Sequence, residues 1–143
     1  MPKVERTITI NAPIKKVFGY VDDPSHLPEF WPSLFEVKDV KMLPGGGHRF
    51  MWFYNFAGKR AQGTTESAEY VPYERIVDMA KGDVESTITW SFSGENGTTE
   101  VKFEADYQAP QKFFPISEQG FITRRNEFEA ETLLANLKAK LEV

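Results

Sequence analysis

The C-terminal end of the sequence places the strongest constraint on the fold. Roughly seventy residues with the pattern of hairpin-linked strands are followed by one long amphipathic helix, predicted from Ser117 to Glu142. A helix of this length must bury its apolar stripe, and an antiparallel sheet is the partner that the chain provides. Because a curved sheet that holds a helix often leaves a cavity, we look for function between these two elements.

The composition fits one globular domain and excludes several classes of function. The chain has 143 residues, 41% of them hydrophobic, so we expect a single domain over residues 1–143. A net charge of -4 with no basic block argues against nucleic acid as a partner. The absence of cysteine excludes disulfides, thiolate metal sites and cysteine nucleophiles.

The N-terminal residues predict a protein of the cytoplasm. Residues 1–13 alternate between polar and apolar side chains and contain no apolar run as long as that of a signal peptide. The rest of the sequence contains no apolar stretch long enough to span a bilayer. We therefore expect a cytoplasmic protein without membrane insertion.

The order of the predicted elements indicates an α+β fold. A first strand, Lys3 to Ile10, precedes two short helices that begin at Pro13 and Pro24. Alternation and turn signals then predict six more strands, with a bulge near Asp39 in the first of them. The result is a curved antiparallel sheet of about seven strands, wrapped around the long C-terminal helix.

Four sequence stretches carry a resemblance to a known superfamily. They are TITINAPIKKVFGYVDD, HLPEFWPSLFEV, LPGGGHRFMW and AEYVPYERIV. Together with the terminal LLANLKAKLE they resemble the START-like (SRPBCC) superfamily, in particular its polyketide cyclase/dehydrase and coenzyme-Q-binding-protein-like branches. The resemblance implies the helix-grip fold and a pocket for a lipid, polyketide, quinone or similar apolar molecule. It implies no shared set of catalytic residues, so no catalytic residue and no cofactor are assigned.

The aromatic residues supply most of the predicted ligand-binding site. Large flat side chains on the inner face of a curved sheet suit a rigid apolar ligand, although the same rings could simply fill the core. One cation, Arg125, falls on the same helical stripe as two of them. The predicted ligand-binding residues are Trp52, Tyr54, Trp90, Phe92, Phe103, Tyr107, Phe121, Arg125 and Phe128. Trp31 is interpreted instead as an anchor between the short helices and the sheet.

Polar residues near this site are candidates for acid–base chemistry, because burial displaces their pKa values. They are Tyr54, Asn55, Glu66, Asp78, Tyr107 and Arg125. Each has a structural alternative. Tyr107 could donate to a backbone carbonyl in the core, and Arg125 could pair with Glu129 one helical turn away.

Other site chemistries lack the residues that they need. The two histidines, His26 and His48, lie far apart in the sequence, and Asp22 with Asp23 is explained by helix capping, so no metal site is predicted. The glycine run 45–47 lacks the Lys-Ser/Thr of a phosphate-binding loop. No serine lies in a Gly-x-Ser-x-Gly turn.

The leading hypothesis is a domain that binds a small hydrophobic ligand in the cavity between the sheet and the last helix. A polyketide cyclase or dehydratase that uses the same cavity is the first alternative, and the sequence does not establish catalysis. A protein-interaction module with a collapsed cavity is the second. Separately, Met51 and Phe53 on the outer face of their strand suggest a homodimer contact.

Overall fold

The computed structural model describes residues 3–56, 58–108 and 119–142 and confirms the α+β helix-grip architecture. Seven strands form the sheet: β1 (Lys3–Ile10), β2 (Leu34–Met42), β3 (His48–Phe56), β4 (Lys59–Val71), β5 (Arg75–Gly82), β6 (Glu85–Glu95) and β7 (Thr98–Gln108). The helices are α1 (Ile14–Asp22), α2 (Leu27–Phe30) and α3 (Gln119–Leu141), with a 3-10 turn at Pro24–His26. The predicted helix start at Ser117 lies outside the described residues.

All strand pairs are antiparallel, in the order β1-β7-β6-β5-β4-β3-β2. Residues paired across neighbouring strands point to the same face of the sheet. One such row runs from Tyr107 on β7 through Ser86, Ala80 and Thr65 to Phe50 on β3. This row belongs to the concave face, which is covered by α3 and bounds the cavity described below.

Two local features follow directly from residue type. Asp39 has a positive φ of 53°, and the register between β2 and β3 shifts between Lys38 and Lys41, which confirms the predicted bulge. Asn96 and Gly97 both have positive φ and join β6 to β7. Asparagine and glycine tolerate this conformation best, so their sequence is typical of a two-residue hairpin turn.

The leucine-rich half of α3 fixes the rotation of the whole helix. Leu133, Leu134 and Leu137 are at most 2% exposed. At about 100° per residue, Phe128 lies some 140° around the helix from Leu133, and Phe121 lies some 120° away. Consequently Phe121 and Phe128 are 57% and 71% exposed, so the prediction that they face the cavity is wrong.

The convex face gives Phe53 neighbours that the sequence did not reveal. Its ring contacts that of Phe35 at 6.5 Å between centroids, and Lys38 Nζ lies 5.4 Å from the Phe53 centroid. These contacts leave Phe53 half-buried within one chain, and Met51 is half-buried as well. The homodimer contact stays a prediction. No helix among residues 3–56, 58–108 and 119–142 has the length and hydropathy needed to span a membrane.

Replacing Gly63 by alanine should destabilise the protein. An added Cβ would lie 2.2 Å from the Lys81 carbonyl oxygen and 2.3 Å from the ring of Trp52. We expect a loss of about 1–3 kcal/mol in the free energy of unfolding, measured by urea denaturation. Gly19→Ala is the control, because a Cβ added there would have no neighbour within 4 Å and the residue lies within α1. That variant should gain about 0.5–1 kcal/mol, and equal effects at both glycines would contradict the packing argument.

Candidate functional site

A cavity of about 130 Å³ lies between the concave face of the sheet and α3. An engineered apolar cavity of about 150 Å³ is known to hold one benzene molecule, so a single ring has room here. The cavity is partly open to solvent, which lets a ligand extend beyond this volume. Most of its wall is apolar and includes Leu34, Phe50, Val84, Ile88, Ala130 and Leu133.

Three aromatic rings form one side of the cavity. Trp90 on β6 and Phe103 on β7 are directly paired, and their ring centroids are 5.0 Å apart. The ring of Trp31, which follows α2, meets that of Phe103 edge to face at 5.5 Å. Such edge-to-face contacts hold aromatic rings in fixed orientations, so this side presents a preformed apolar surface. Trp31 thus serves as an anchor and also lines the cavity.

The carboxylate of Glu129, in the cavity wall, binds four donors. Its Oε1 accepts hydrogen bonds from Trp31 Nε1 at 2.7 Å and the Tyr54 hydroxyl at 2.5 Å. Its Oε2 accepts from Ser33 Oγ at 2.5 Å and lies 3.1 Å from Arg125 Nη2. The residue is 8% exposed. A buried charge is tolerated only when it is paired and hydrogen-bonded, and this arrangement satisfies both carboxylate oxygens.

Arg125 joins this cluster to the sheet. Its Nη2 also donates to Ser33 Oγ at 2.6 Å and to the backbone carbonyl of Asn55 at 3.2 Å. The alternative interpretation, in which Arg125 pairs with Glu129, is therefore confirmed. Burial and the neighbouring Glu129 carboxylate raise the pKa of Tyr54 above its ordinary value, so its hydroxyl remains protonated and donating.

Two other residues of the cavity wall carry donors that find no hydrogen-bond partner in the part of the chain that the structure describes. Trp52 is 7% exposed and Tyr107 is 4% exposed. Neither the Trp52 indole N–H nor the Tyr107 hydroxyl has a hydrogen-bond partner among the described residues. The interpretation of Tyr107 as a core tyrosine bonded to a backbone carbonyl therefore fails within that part of the chain. Buried donors are nearly always paired in native proteins, so these two need an explanation.

Asp78 is the second carboxyl group of the cavity wall. It lies on the concave face of β5, where its Oδ1 accepts a hydrogen bond from Ser67 Oγ at 2.7 Å. No ion pair to Asp78 occurs within the described ranges. Burial raises the pKa of Asp78 to about 6, against the opposing effect of the Ser67 hydrogen bond.

The structure brings most of the predicted site residues together. Trp52, Tyr54, Trp90, Phe103 and Tyr107 line the cavity. Phe92 is buried but packs against the ring of Phe18 at 5.1 Å, outside the cavity wall. Arg125 pairs with Glu129 and is not itself part of the cavity wall. Phe121 and Phe128 lie on the outer surface of α3. Contact between any of these residues and a ligand stays a prediction.

The sequence assigned Glu129 only a possible pairing with Arg125 and did not place it in the cavity. The signal that could have located it is its position in α3. Glu129 directly precedes Ala130 and lies four residues before Leu133, so it falls on the buried face that the leucines define. Among the acid–base candidates, Asp78 lies in the cavity wall and Glu66 is exposed.

No group of three or more histidine, aspartate or glutamate side chains in residues 3–56, 58–108 and 119–142 is arranged to hold a metal ion. The donors around Glu129 are themselves tryptophan, tyrosine, serine and arginine side chains, which occupy both of its oxygens. The described site therefore offers hydrogen bonding, apolar contact and a titratable carboxyl group.

Comparison with known proteins identifies the family. The sequence profile of the polyketide cyclase/dehydrase and lipid transport family matches residues 1–142. The chain belongs to this family. Its membership confirms the START-like resemblance, and the family description joins cyclase or dehydrase activity with the transport of lipids. No curated protein sequence matches the chain.

Solved structures of this family's fold superpose over almost the whole chain. A Thermus thermophilus protein is 22% identical with a TM-score of 0.84, and the match covers 98% of this chain and 97% of that one. A START superfamily protein from Mycobacterium smegmatis is 15% identical with a TM-score of 0.78, covering 98% and 97%. The aromatase/cyclase Zhui from a Streptomyces species is 16% identical with a TM-score of 0.81, covering 98% and 93%. At these identities the likeness shows the fold alone.

Replacing Glu129 by glutamine should weaken the attachment of α3 in this family member. The amide keeps one acceptor oxygen but loses the negative charge opposite Arg125. We expect a loss of about 2–4 kcal/mol in the free energy of unfolding, measured by urea denaturation. Glu131→Gln on the same helix is the control, because Glu131 pairs with Arg6 at the surface and its side chain is 58% exposed. That change should cost at most about 1 kcal/mol, and a similar cost at both positions would contradict the role of Glu129.

Replacing Asp78 by asparagine should stabilise the protein, but only at higher pH. The pKa of Asp78 is raised to about 6 by burial, so the folded state binds this proton more tightly than the unfolded chain. Ionisation therefore costs folding stability as the pH rises through 6, and asparagine avoids that cost. We expect a gain of about 1–2 kcal/mol at pH 8 and none below about pH 4, measured by urea denaturation. A gain that is equal at both pH values would contradict the titration.

Proposed function

We propose that the chain binds a small, largely apolar ring compound that carries a hydrogen-bond acceptor, such as a cyclic ketone, a quinone or a polyketide ring. The observation that supports this proposal most strongly is the pair of buried donors, Trp52 Nε1 and the Tyr107 hydroxyl, in the wall of an apolar cavity. The indole N–H can only donate, and a phenol hydroxyl donates readily. A ligand with an acceptor oxygen would give these groups partners.

The apolar wall would supply most of the affinity. Removing apolar surface from water contributes about 25 cal/mol for each Å² that is buried. The rings of Trp31, Trp90 and Phe103 offer flat surfaces that fit an aromatic or alicyclic ligand. An unpaired buried donor costs about 1–3 kcal/mol, so an acceptor oxygen would add both affinity and orientation.

Charge argues against fatty acids and other anionic ligands. The described cavity wall carries two carboxyl groups, those of Asp78 and Glu129, and no cationic side chain. Arg125 lies behind the wall, paired with Glu129. A ligand carboxylate would therefore meet negative charge without a counter-ion in a poorly hydrated site, which is unfavourable.

Catalysis in the same cavity is the second candidate function. The family description includes cyclases and dehydrases, and Asp78 offers a carboxyl group that titrates near neutral pH. The interaction-module alternative has less support, because that function does not require the cavity of about 130 Å³ that the protein keeps.

The binding proposal predicts that Tyr107→Phe weakens binding of 2-indanone but not of indane. The two compounds share one ring system and differ by the carbonyl oxygen that would accept from Tyr107. Loss of one neutral hydrogen bond corresponds to a roughly 2- to 10-fold rise in Kd. All three tryptophans, Trp31, Trp52 and Trp90, line the cavity, so quenching of their fluorescence reports binding of either compound.

The control for this experiment is Phe128→Ala, because Phe128 is 71% exposed and lies outside the cavity wall. Its Kd for both compounds should equal that of the wild type. The Tyr107 hydroxyl has no partner among the described residues, so its removal should leave the melting temperature unchanged or raise it. Failure of the wild type to bind 2-indanone would contradict the proposal, as would an equal loss of both compounds in Tyr107→Phe.

A further inference from the structure

A second, smaller cavity of about 20 Å³ lies beside the main one, between α1 and strands β3, β4 and β5. Its wall contains four polar residues, Asp22, His48, Ser67 and Asp78. Asp78 also lines the main cavity and is therefore the polar residue that the two cavities share. None of the hydrogen bonds around Glu129 involves this group of residues.

Hydrogen bonds position the side chains of Ser67, Asp78 and Asp22 and the backbone of His48. Ser67 Oγ accepts from the backbone N–H of His48 at 3.0 Å and donates to Asp78 Oδ1. The Tyr70 hydroxyl donates to Asp22 Oδ2 at 2.9 Å. His48 Nδ1 lies 3.9 Å from Asp22 Oδ1, which is beyond hydrogen-bond distance. The serine thus orients the Asp78 carboxyl group, while the histidine and Asp22 face each other across a gap.

The small cavity has the size and polarity to hold one water molecule. A water requires at least about 10–15 Å³ and two to four polar partners, and both conditions are met here. Such a water would connect Asp78 with His48 and Asp22. The side chains of His48 and Asp22 are 16% and 24% exposed, so they reach the protein surface. A proton could then pass between Asp78 and bulk solvent while a ligand fills the main cavity.

Ionised Asp78 lowers the stability of the fold, because burial raises the pKa of its carboxyl group to about 6. A residue of similar shape without a charge, such as asparagine, would accept the same hydrogen bond from Ser67. Groups that destabilise a fold in this way are concentrated at functional sites. This consideration supports a chemical role for Asp78, in addition to its position at the boundary of both cavities.

We propose that Asp78 is a general acid–base residue that transfers a proton to and from the carbon next to a carbonyl group of the bound ligand. This inference rests on the proposed function, since it requires a carbonyl compound in the main cavity. The substrate class is a cyclic or polycarbonyl ketone with an acidic C–H bond. The activity is keto–enol proton transfer.

The proton transfer requires no reactant other than the ketone and Asp78. The Asp78 carboxylate takes the proton, the C–H bond breaks, and its electron pair forms the C=C bond of an enolate. The negative charge moves to the former carbonyl oxygen, where the donors of Tyr107 and Trp52 would stabilise it. In the reverse step Asp78 returns a proton to carbon. In heavy water the proton on Asp78 is exchanged for a deuteron through the small cavity before it returns.

The pH dependence follows from the groups that face Asp78. Ser67 on β4 donates to it, His48 on β3 favours its ionised form, Asp22 at the end of α1 opposes ionisation, and its cross-strand partner on β6 is the apolar Ile88. Burial raises the pKa of Asp78 to about 6. The carboxylate is the active base, so the rate should rise with pH and level off above 6.

The experiment measures deuterium exchange into 2-indanone in buffered heavy water by proton NMR. We expect the wild-type protein to accelerate exchange in a saturable way. Asp78→Asn should lower the rate constant of the bound ketone by about 100-fold or more while 2-indanone still binds. Glu66→Gln is the matched control, because Glu66 lies on the exposed face of β4 and should leave the rate unchanged.

A second variant separates a chemical role for Asp78 from a structural one. Ser67→Ala removes the hydrogen bond that favours ionised Asp78, so the midpoint of the pH–rate profile should move to higher pH. An Asp78→Asn rate equal to that of the wild type, with 2-indanone bound, would overturn the acid–base role and leave the proposed binding function intact. Absence of 2-indanone binding to the wild type would overturn both.

Discussion

A buried carboxylate on α3 accepts hydrogen bonds from two other parts of the chain. Glu129 joins the helix to the loop after α2 through Trp31 and Ser33 and to β3 through Tyr54. Arg125 balances its charge from one helical turn away. This cluster needs polar partners from three parts of the chain at once, so it fixes where the helix lies relative to the sheet. Apolar packing of the leucines alone would restrict that position less, because the hydrophobic effect is not directional.

The same attachment explains why a cavity persists beside a well-packed core. The C-terminal half of α3 buries Leu133, Leu134 and Leu137. Further toward the N-terminus the helix presents Asn126 and Glu129 to the cavity. The concave face of the sheet opposite carries the donors of Trp52 and Tyr107 and the carboxyl group of Asp78. Polar groups without full pairing cost stability, so a binding or chemical role is the better explanation of this composition.

Much of the fold could be predicted because its signals are local. The turn at Asn96-Gly97, the bulge at Asp39 and the apolar alternation of β6 and β7 each depend on a few neighbouring residues. Trp52 and Tyr54, which alternation along β3 puts on one face of the strand, both line the cavity. The prediction failed on α3, where the large aromatic side chains Phe121 and Phe128 were assigned to the cavity. Helix rotation is set by the whole apolar face, and that face is dominated by leucines further along the helix.

By itself, the sequence determined the order of elements, the helix-grip architecture and the aromatic lining of the inner sheet face. These depend on periodicity and turn chemistry, which act over short distances along the chain. Tertiary structure alone decided that Glu129 binds three donors from distant parts of the chain, that Trp52 and Tyr107 lack partners among the described residues, and that Asp78 lies between two cavities. These properties depend on which distant residues meet in space, and a hydrogen bond made or missed there leaves no pattern in a single sequence.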